Sequence, residues 1–236
     1  MGKKKVRGAS EWQTTAPWVN VPRPGNKLGR KPSASSGVSH ASRPRLASWT
    51  PVHITLKWCA GLPGLREVGA DRVIRAAFRA SNAKKKGLRI VDYSIQRNHI
   101  HMICEADDER SLSRAMQGLK VRIARRLNRL WERSGTVFAD RYHREDLKTP
   151  SQVRNCIRYV LQNRFRHSLS ASCANPGHPD PFSSGPWFTG WAEAHLRVAV
   201  HDLTDAPVEE PQTWLLSTGW KRNGLLSITD RPVLTA

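Results

Sequence analysis

Two extended runs meeting at a two-residue turn constrain this chain more than any other feature. Leu88 to Gln96 and His99 to Ala106 are rich in β-branched and apolar residues, and Arg97-Asn98 between them has the length of a tight hairpin loop. Side chains alternate between the faces of a strand. In Asn98-His99-Ile100-His101-Met102-Ile103-Cys104, His99 and His101 therefore share one face, while Ile100, Met102 and Cys104 share the other and can enter a core. Two imidazoles roughly 7 Å apart along one strand face can converge on a single divalent metal. The plain alternative is a pair of half-exposed histidines on a sheet surface.

The pattern around the hairpin predicts what covers its apolar face. Val52 to Trp58 alternates as a strand and stops at Gly61, Pro63 and Gly64. A helix follows over about Asp71 to Lys85, with Val73, Ile74, Ala77, Phe78 and Ser81 at helical spacing, closed by Lys84-Lys85-Lys86-Gly87. After the hairpin, Leu112 to Trp131 reads as a long helix whose Leu112, Met116, Leu119, Ile123, Leu127 and Leu130 form one stripe. Short extended pieces around Val137-Phe138-Ala139 and Asp146-Leu147 precede a helix from Pro150 to about Phe165. Thr149 is its N-cap, Pro150 its first residue, and Gln152 closes a capping box. This order predicts an α+β fold, an antiparallel sheet covered by helices on one face.

Three segments are expected: a disordered basic arm over 1–50, a core domain over 51–167 and a Trp- and Pro-rich C-terminal extension over 168–236. The arm holds ten Lys and Arg against the single acid Glu11, with many Pro, Gly and Ser, and buries too little apolar surface to offset its ordering entropy. Its Trp12, Trp18 and Trp49 could stack on bases, although Trp49 could equally cover the edge of the core. In the extension, Trp187, Trp191, Trp214 and Trp220 are too many for a solvated tail. They are expected to pack back on the core, with short helices near Trp191 to Ala199 and around Trp214.

The 236-residue chain carries 39 Lys and Arg against 19 Asp and Glu, a formal net charge of +20. That imbalance favours polyanions, because every neutralised phosphate releases condensed counterions. No apolar run approaches the ~20 residues of a membrane span, and no signal peptide is expected, so a cytoplasm is the expected compartment. Cys59, Cys104, Cys156 and Cys173 lack CxxC spacing and read as buried or incidental thiols.

Two further groups carry chemistry. On the helix from Pro150, Val153, Ile157, Val160 and Leu161 define the buried stripe, and Tyr159 lies roughly 140° away from its centre at ~100° per residue. Tyr159 thus projects from a polar face, with Asn163 one turn later, where a phenolic nucleophile and a helper ligand could meet a metal. A surface or interface tyrosine is the alternative. The helix from Leu112 carries Arg114, Lys120, Arg122, Arg125, Arg126 and Arg129 with no acid between Ser111 and Trp131. A single-sign face beside a histidine pair reads as a track for phosphates.

A His-hydrophobic-His strand, a basic helix and a tyrosine on a later helix together resemble the HUH single-strand nucleases. The similarity is closer to the single-tyrosine transposases, and in particular to the REP-associated tyrosine transposases of bacteria. It is carried by Ser94-Ile95-Gln96-Arg97-Asn98-His99-Ile100-His101, Leu112-Ser113-Arg114-Ala115-Met116-Gln117-Gly118, Val137-Phe138-Ala139-Asp140-Arg141-Tyr142-His143 and Arg158-Tyr159-Val160-Leu161-Gln162-Asn163, within about Val52 to His167. The resemblance implies a ferredoxin-like fold, Mg²⁺ or Mn²⁺ on His99 and His101 with Asn163 completing the shell, and attack by Tyr159 on a DNA phosphate to give a 5′-phosphotyrosine. It implies a DNA-nicking and strand-transfer enzyme, a transposase acting on single-stranded and possibly hairpin DNA at the bacterial nucleoid, as a monomer or homodimer. Many relatives have Asn-Pro after the tyrosine turn, whereas here Arg164 follows Asn163, and the extension beyond Ser168 is not part of the shared domain. The alternative is a domesticated relative that grips structured single-stranded DNA or RNA without cutting. Tyr142, in a polar connection beside His143, is the second choice for the nucleophile, and Tyr93 reads as packing.

Overall fold

The computed structural model describes residues 45–47, 50–67, 69–85, 87–164, 177–196 and 206–230. Nearly all of the expected basic arm, with Trp12, Trp18 and Trp49, lies outside them. So do Cys173, the domain limit at His167, and the ends of the helices expected to reach Phe165 and Ala199.

The core elements run β1 (Val52–Lys57), α1 (Ala70–Asn82), β2 (Arg89–Ile95), β3 (His99–Glu105), α2 (Glu109–Leu130), β4 (His143–Asp146) and α3 (Pro150–Leu161). The sheet has the order β2-β3-β1-β4 with every neighbouring pair antiparallel. A β-α-β-β-α-β chain wound in that order is the ferredoxin-like arrangement. The expected α+β class is therefore what the chain forms.

Local chemistry accounts for the element ends. Thr149 and Gln152 form a reciprocal capping box at the start of α3, with Pro150 in the first turn. The helix α2 begins at Glu109, earlier than its apolar stripe, because the Asp108 side chain accepts from Ser111 N at 2.6 Å. After α1 the chain turns through Lys85 and Gly87, both at positive φ, a region that glycine enters without strain.

Two cores flank the sheet. Ile54, Leu56, Ile100, Met102 and Cys104 meet α1 and α2 through Ile74, Phe78, Leu112, Met116, Leu119 and Ile123. On the other face Val91, Ile103 and Leu147 meet Val153, Ile157, Val160 and Leu161 of α3. Helices on one face is thus true of α1 and α2, while α3 lies across the opposite face, the one that carries His99 and His101. The reason lies in the alternation of β3: beyond the two histidines its odd positions include Ile103, which supplies an apolar seat for a third helix.

The C-terminal extension completes this second core. Trp191, Leu215, Leu216, Trp220, Leu226 and Ile228 pack with α3. Trp191 and Trp220 are 0% and 2% exposed, as expected of them, but Trp214 is 48% exposed. Trp214 opens the short helix α4 (Trp214–Ser217), in which Leu215 and Leu216 take the buried positions instead. From Trp191 onward, the described residues up to Leu196 are helical only in the 3-10 turn Ala194–Leu196. Polar anchors fix the segment: Arg66 makes two 2.8 Å bonds to the buried Asp180. Glu105 accepts from Gln212 N and from Thr213 N, at 2.9 and 2.7 Å. Arg154 donates to Gly224 O and Leu225 O at 3.1 Å, tying α3 to the last described strand-like turn. Among the described residues no helix is long and apolar enough to cross a membrane.

Candidate active site

Register decides what surrounds the histidine pair. Cross-strand partners share a sheet face. Thr55 pairs with His101 and Lys57 with His99 across β1 and β3, while His143 and Glu145 of β4 pair with Thr55 and His53. Ser94 of β2 pairs with His101 from the other side. One face thus presents His53, Thr55, Lys57, His99, His101, His143 and Glu145 together, and α3 lies over its β2 side.

Tyr159 reaches this face. Its hydroxyl is 3.3 Å from His101 Nε2, and its ring meets the His101 ring edge-on at a centroid distance of 5.0 Å. The His99 and His101 rings are 4.6 Å apart. His99 Nδ1 bonds Asn98 Oδ1 at 2.8 Å. His101 Nδ1 lies 3.2 Å from both His53 Nε2 and Thr55 Oγ1. Behind His53, its Nδ1 faces a Glu145 carboxylate oxygen at 3.7 Å. Hydrogen bonding from His53 holds the Glu145 carboxyl below its usual value against the opposing effect of burial.

The other two tyrosines point away. Tyr142 is 7% exposed and joins the core under α1 and α2, so it is not the exposed residue its polar neighbours suggest. It occupies the opposite face of the edge from His143, by the alternation of the chain there. Tyr93 is fully buried against Phe78 at 5.1 Å, and burial pushes its phenol far up. Among the three tyrosines only Tyr159 stands with the histidines.

The helix α3 ends at Leu161, so Asn163 sits in the turn just after it, four residues beyond Tyr159. It is 0% exposed, and among the described residues neither its amide oxygen nor its amide nitrogen has a hydrogen-bond partner. A buried amide left unsatisfied costs about 1–3 kcal/mol.

The basic track does not adjoin the site. The helix α2 packs on the far face of the sheet through Leu112, Met116, Leu119, Ile123 and Leu127, so Arg114, Arg122, Arg125, Arg126 and Arg129 point away from the histidine face. Sequence spacing placed the charges on one helix but could not say which sheet face that helix covers. Lys120 has a structural partner, donating to Asp140 O at 2.8 Å and lying 5.0 Å over the Phe138 ring.

Whether these donors suit a cation follows from their chemistry. Among the described residues no three His, Cys, Asp or Glu side chains converge as a metal-holding group. The donors that stand together on this face are the His99 and His101 imidazoles and the Tyr159 phenol oxygen. Imidazole nitrogens beside an oxygen donor are a donor set of the kind that borderline divalent ions take.

His53, Thr55, Lys57 and Glu145 were not singled out by sequence reasoning. The alternation of Val52 to Lys57 does place His53, Thr55 and Lys57 on one face, but only the strand order sets that face beside His101.

Residues 70–163 match the family model described as IS200-like transposase. No curated protein matches the sequence. Among solved structures the chain is similar to a REP-associated tyrosine transposase bound to a REP hairpin, with a TM-score of 0.50 and 14% identity, over 62% of this chain and 82% of that one. At that identity the likeness concerns the fold.

Proposed function

Because residues 70–163 match the IS200-like transposase family model, we propose that the chain nicks and rejoins single-stranded DNA with Tyr159 as the nucleophile. The observation that carries this reading is the 3.3 Å approach of the Tyr159 hydroxyl to His101 within one chain. In the reaction Tyr159 Oη bonds to the scissile phosphorus as the bond to the 3′-oxygen breaks. That leaves a 5′-phosphotyrosine and a free 3′-hydroxyl, and the phenolic proton ends on the departing oxygen. The covalent link conserves the phosphodiester energy for rejoining.

The residues divide the work. A capped helix seated on the second core fixes Tyr159, and a misplacement of about 1 Å can reduce rate on the order of a hundredfold. His99, His101 and Asn163 would hold Mg²⁺ or Mn²⁺, which when bound polarises the phosphate and helps an oxygen of ordinary pKa about 10 to react. Exposed Lys57, opposite His99 on the site face, is placed to meet a neighbouring phosphate. Arg114, Arg122, Arg125, Arg126 and Arg129, on the far face, would contact the parts of a substrate that wrap around the domain. The hairpin seen with the structural relative makes a DNA hairpin the first substrate to try. Since Tyr159 meets His101 of its own chain, one protomer holds a complete site, which supports a monomer. A cytoplasmic enzyme acting at the nucleoid accords with the net charge of +20.

The test is nicking of single-stranded and hairpin oligonucleotides with Mg²⁺ or Mn²⁺. Replacing His99 or His101 by Ala should remove nicking while binding persists through phosphate contacts. Full nicking by the double variant would reject the site, and tight binding without any cleavage by the wild type would favour the non-cutting alternative.

A further inference from the structure

Two side chains behind the site have no part in the reading above. His53 is 9% exposed, and its ring stacks on that of His101 at 5.2 Å, with Nε2 3.2 Å from His101 Nδ1. Its other nitrogen faces Glu145 at 3.7 Å. We propose that His53, backed by Glu145, is a positioning residue that holds His101 in the tautomer with the proton on Nδ1 and the lone pair on Nε2, toward Tyr159. The inference rests on the reading of His101 as a ligand beside the nucleophile.

The argument is one of donor and acceptor counts. An ionised carboxylate only accepts hydrogen bonds, so the Glu145 charge 3.7 Å from Nδ1 favours the tautomer of a neutral His53 with its proton on Nδ1. The Nε2 of His53 is then an acceptor, and the atom facing it, His101 Nδ1, must donate. A neutral His101 with its proton on Nδ1 has its lone pair on Nε2, the atom 3.3 Å from the Tyr159 hydroxyl. Thr55 Oγ1, also 3.2 Å from His101 Nδ1, can accept or donate and so agrees with either tautomer. The choice therefore falls to His53, and the stacked rings also fix the orientation of the His101 plane. Outer partners of this kind typically change metal affinity 10- to 100-fold when removed.

The experiment uses the full chain. Imidazole nitrogen NMR on the metal-free protein should show His101 protonated on Nδ1 in the wild type. His53→Phe, which keeps a stacking ring but no acceptor, should shift His101 toward the other tautomer or a mixture and weaken Mn²⁺ binding 10- to 100-fold. Glu145→Gln, at an exposed position that leaves packing intact, should do the same to a smaller degree. Tautomer and Mn²⁺ affinity unchanged in a folded His53→Phe, or unchanged in Glu145→Gln if His53→Phe does not fold, would overturn the proposal. A wild type that shows the expected tautomer but binds no Mn²⁺ would instead reject the metal reading, since the tautomer is measured without metal.

Discussion

Tyr159 Oη and His101 Nε2 lie 3.3 Å apart although 58 residues separate them in the chain. The helix that brings the phenol there crosses the sheet face opposite α1 and α2, and the C-terminal extension packs against its buried stripe. The placement of Tyr159 thus depends on packing by a segment outside the family match, which ends at residue 163.

That dependence can be measured. Trp220 is 2% exposed, stacks on Phe188 at 5.7 Å, and donates from Nε1 to Leu216 O at 2.9 Å. Trp220→Ala should destabilise the fold by about 3–5 kcal/mol, read from denaturant unfolding. In protein that remains folded it should lower the cleavage rate more than DNA affinity, because α3 loses support while the phosphate contacts stay. Equal losses in rate and affinity would contradict a support role for the extension.

The identity of the nucleophile separates two tyrosines by burial. Tyr159→Phe should abolish the covalent protein–DNA adduct and leave folding and affinity nearly unchanged, since only a partly exposed hydroxyl is removed. Tyr142→Phe should keep the adduct, because Tyr142 faces the core. Peptide mapping of the trapped adduct checks both, and an adduct surviving in Tyr159→Phe would transfer the role to Tyr142.

A buried carboxyl gives a pH dependence with a definite sign. Asp92 is 4% exposed and accepts from Ser184 Oγ at 2.8 Å. Burial raises it to about 7, opposed by the Ser184 bond. Unfolded, it would titrate near 3.9, so between about 4 and about 7 the folded state holds a proton that the unfolded state has released. Stability then falls as pH rises: the contribution is complete below about 4 and is lost through about 7, with an upper bound of roughly 4 kcal/mol. Asp92→Asn should be more stable than wild type at pH 8, and the difference should vanish by pH 4. A difference independent of pH would mean that Asp92 is ionised in the fold.

Much of this was legible in the sequence, for physical reasons that differ by element. Period-2 alternation set His99 and His101 on one face, and helical spacing set Tyr159 off the buried stripe, because both depend only on local geometry. The capping box at Thr149 and Gln152 is local as well. What could not be read was which face of the sheet each helix takes. Leu112 to Leu127 and Val153 to Leu161 are both apolar stripes, and neither spacing distinguishes one side of a sheet from the other. The same gap hid His53, whose place beside His101 requires β1 to lie next to β3, and it moved the α2 arginines away from the site.

The α2 arginines provide the last expectation, and the fold sharpens it. Arg122, Arg125, Arg126 and Arg129 recur at three- and four-residue spacing, so they form one stripe on the outer face of the helix. The sheet separates that stripe from Tyr159, so no single phosphate can touch both. If the stripe binds DNA, it grips flanking phosphates while the scissile one lies at the histidine face. Replacing all four with Ala should then reduce the slope of log K against log[salt] by about 3, from roughly 0.7–0.9 per phosphate contact. The rate of cleavage from saturated complex should not change, because none of the four reaches the reacting atoms. Lys57→Ala, on the site face, should show the reverse balance: a slope change of at most about one contact, with a measurable fall in the saturated rate. A salt slope unaltered by the fourfold change would mark the stripe as solvated surface and leave the 1–50 arm as the main source of phosphate contacts.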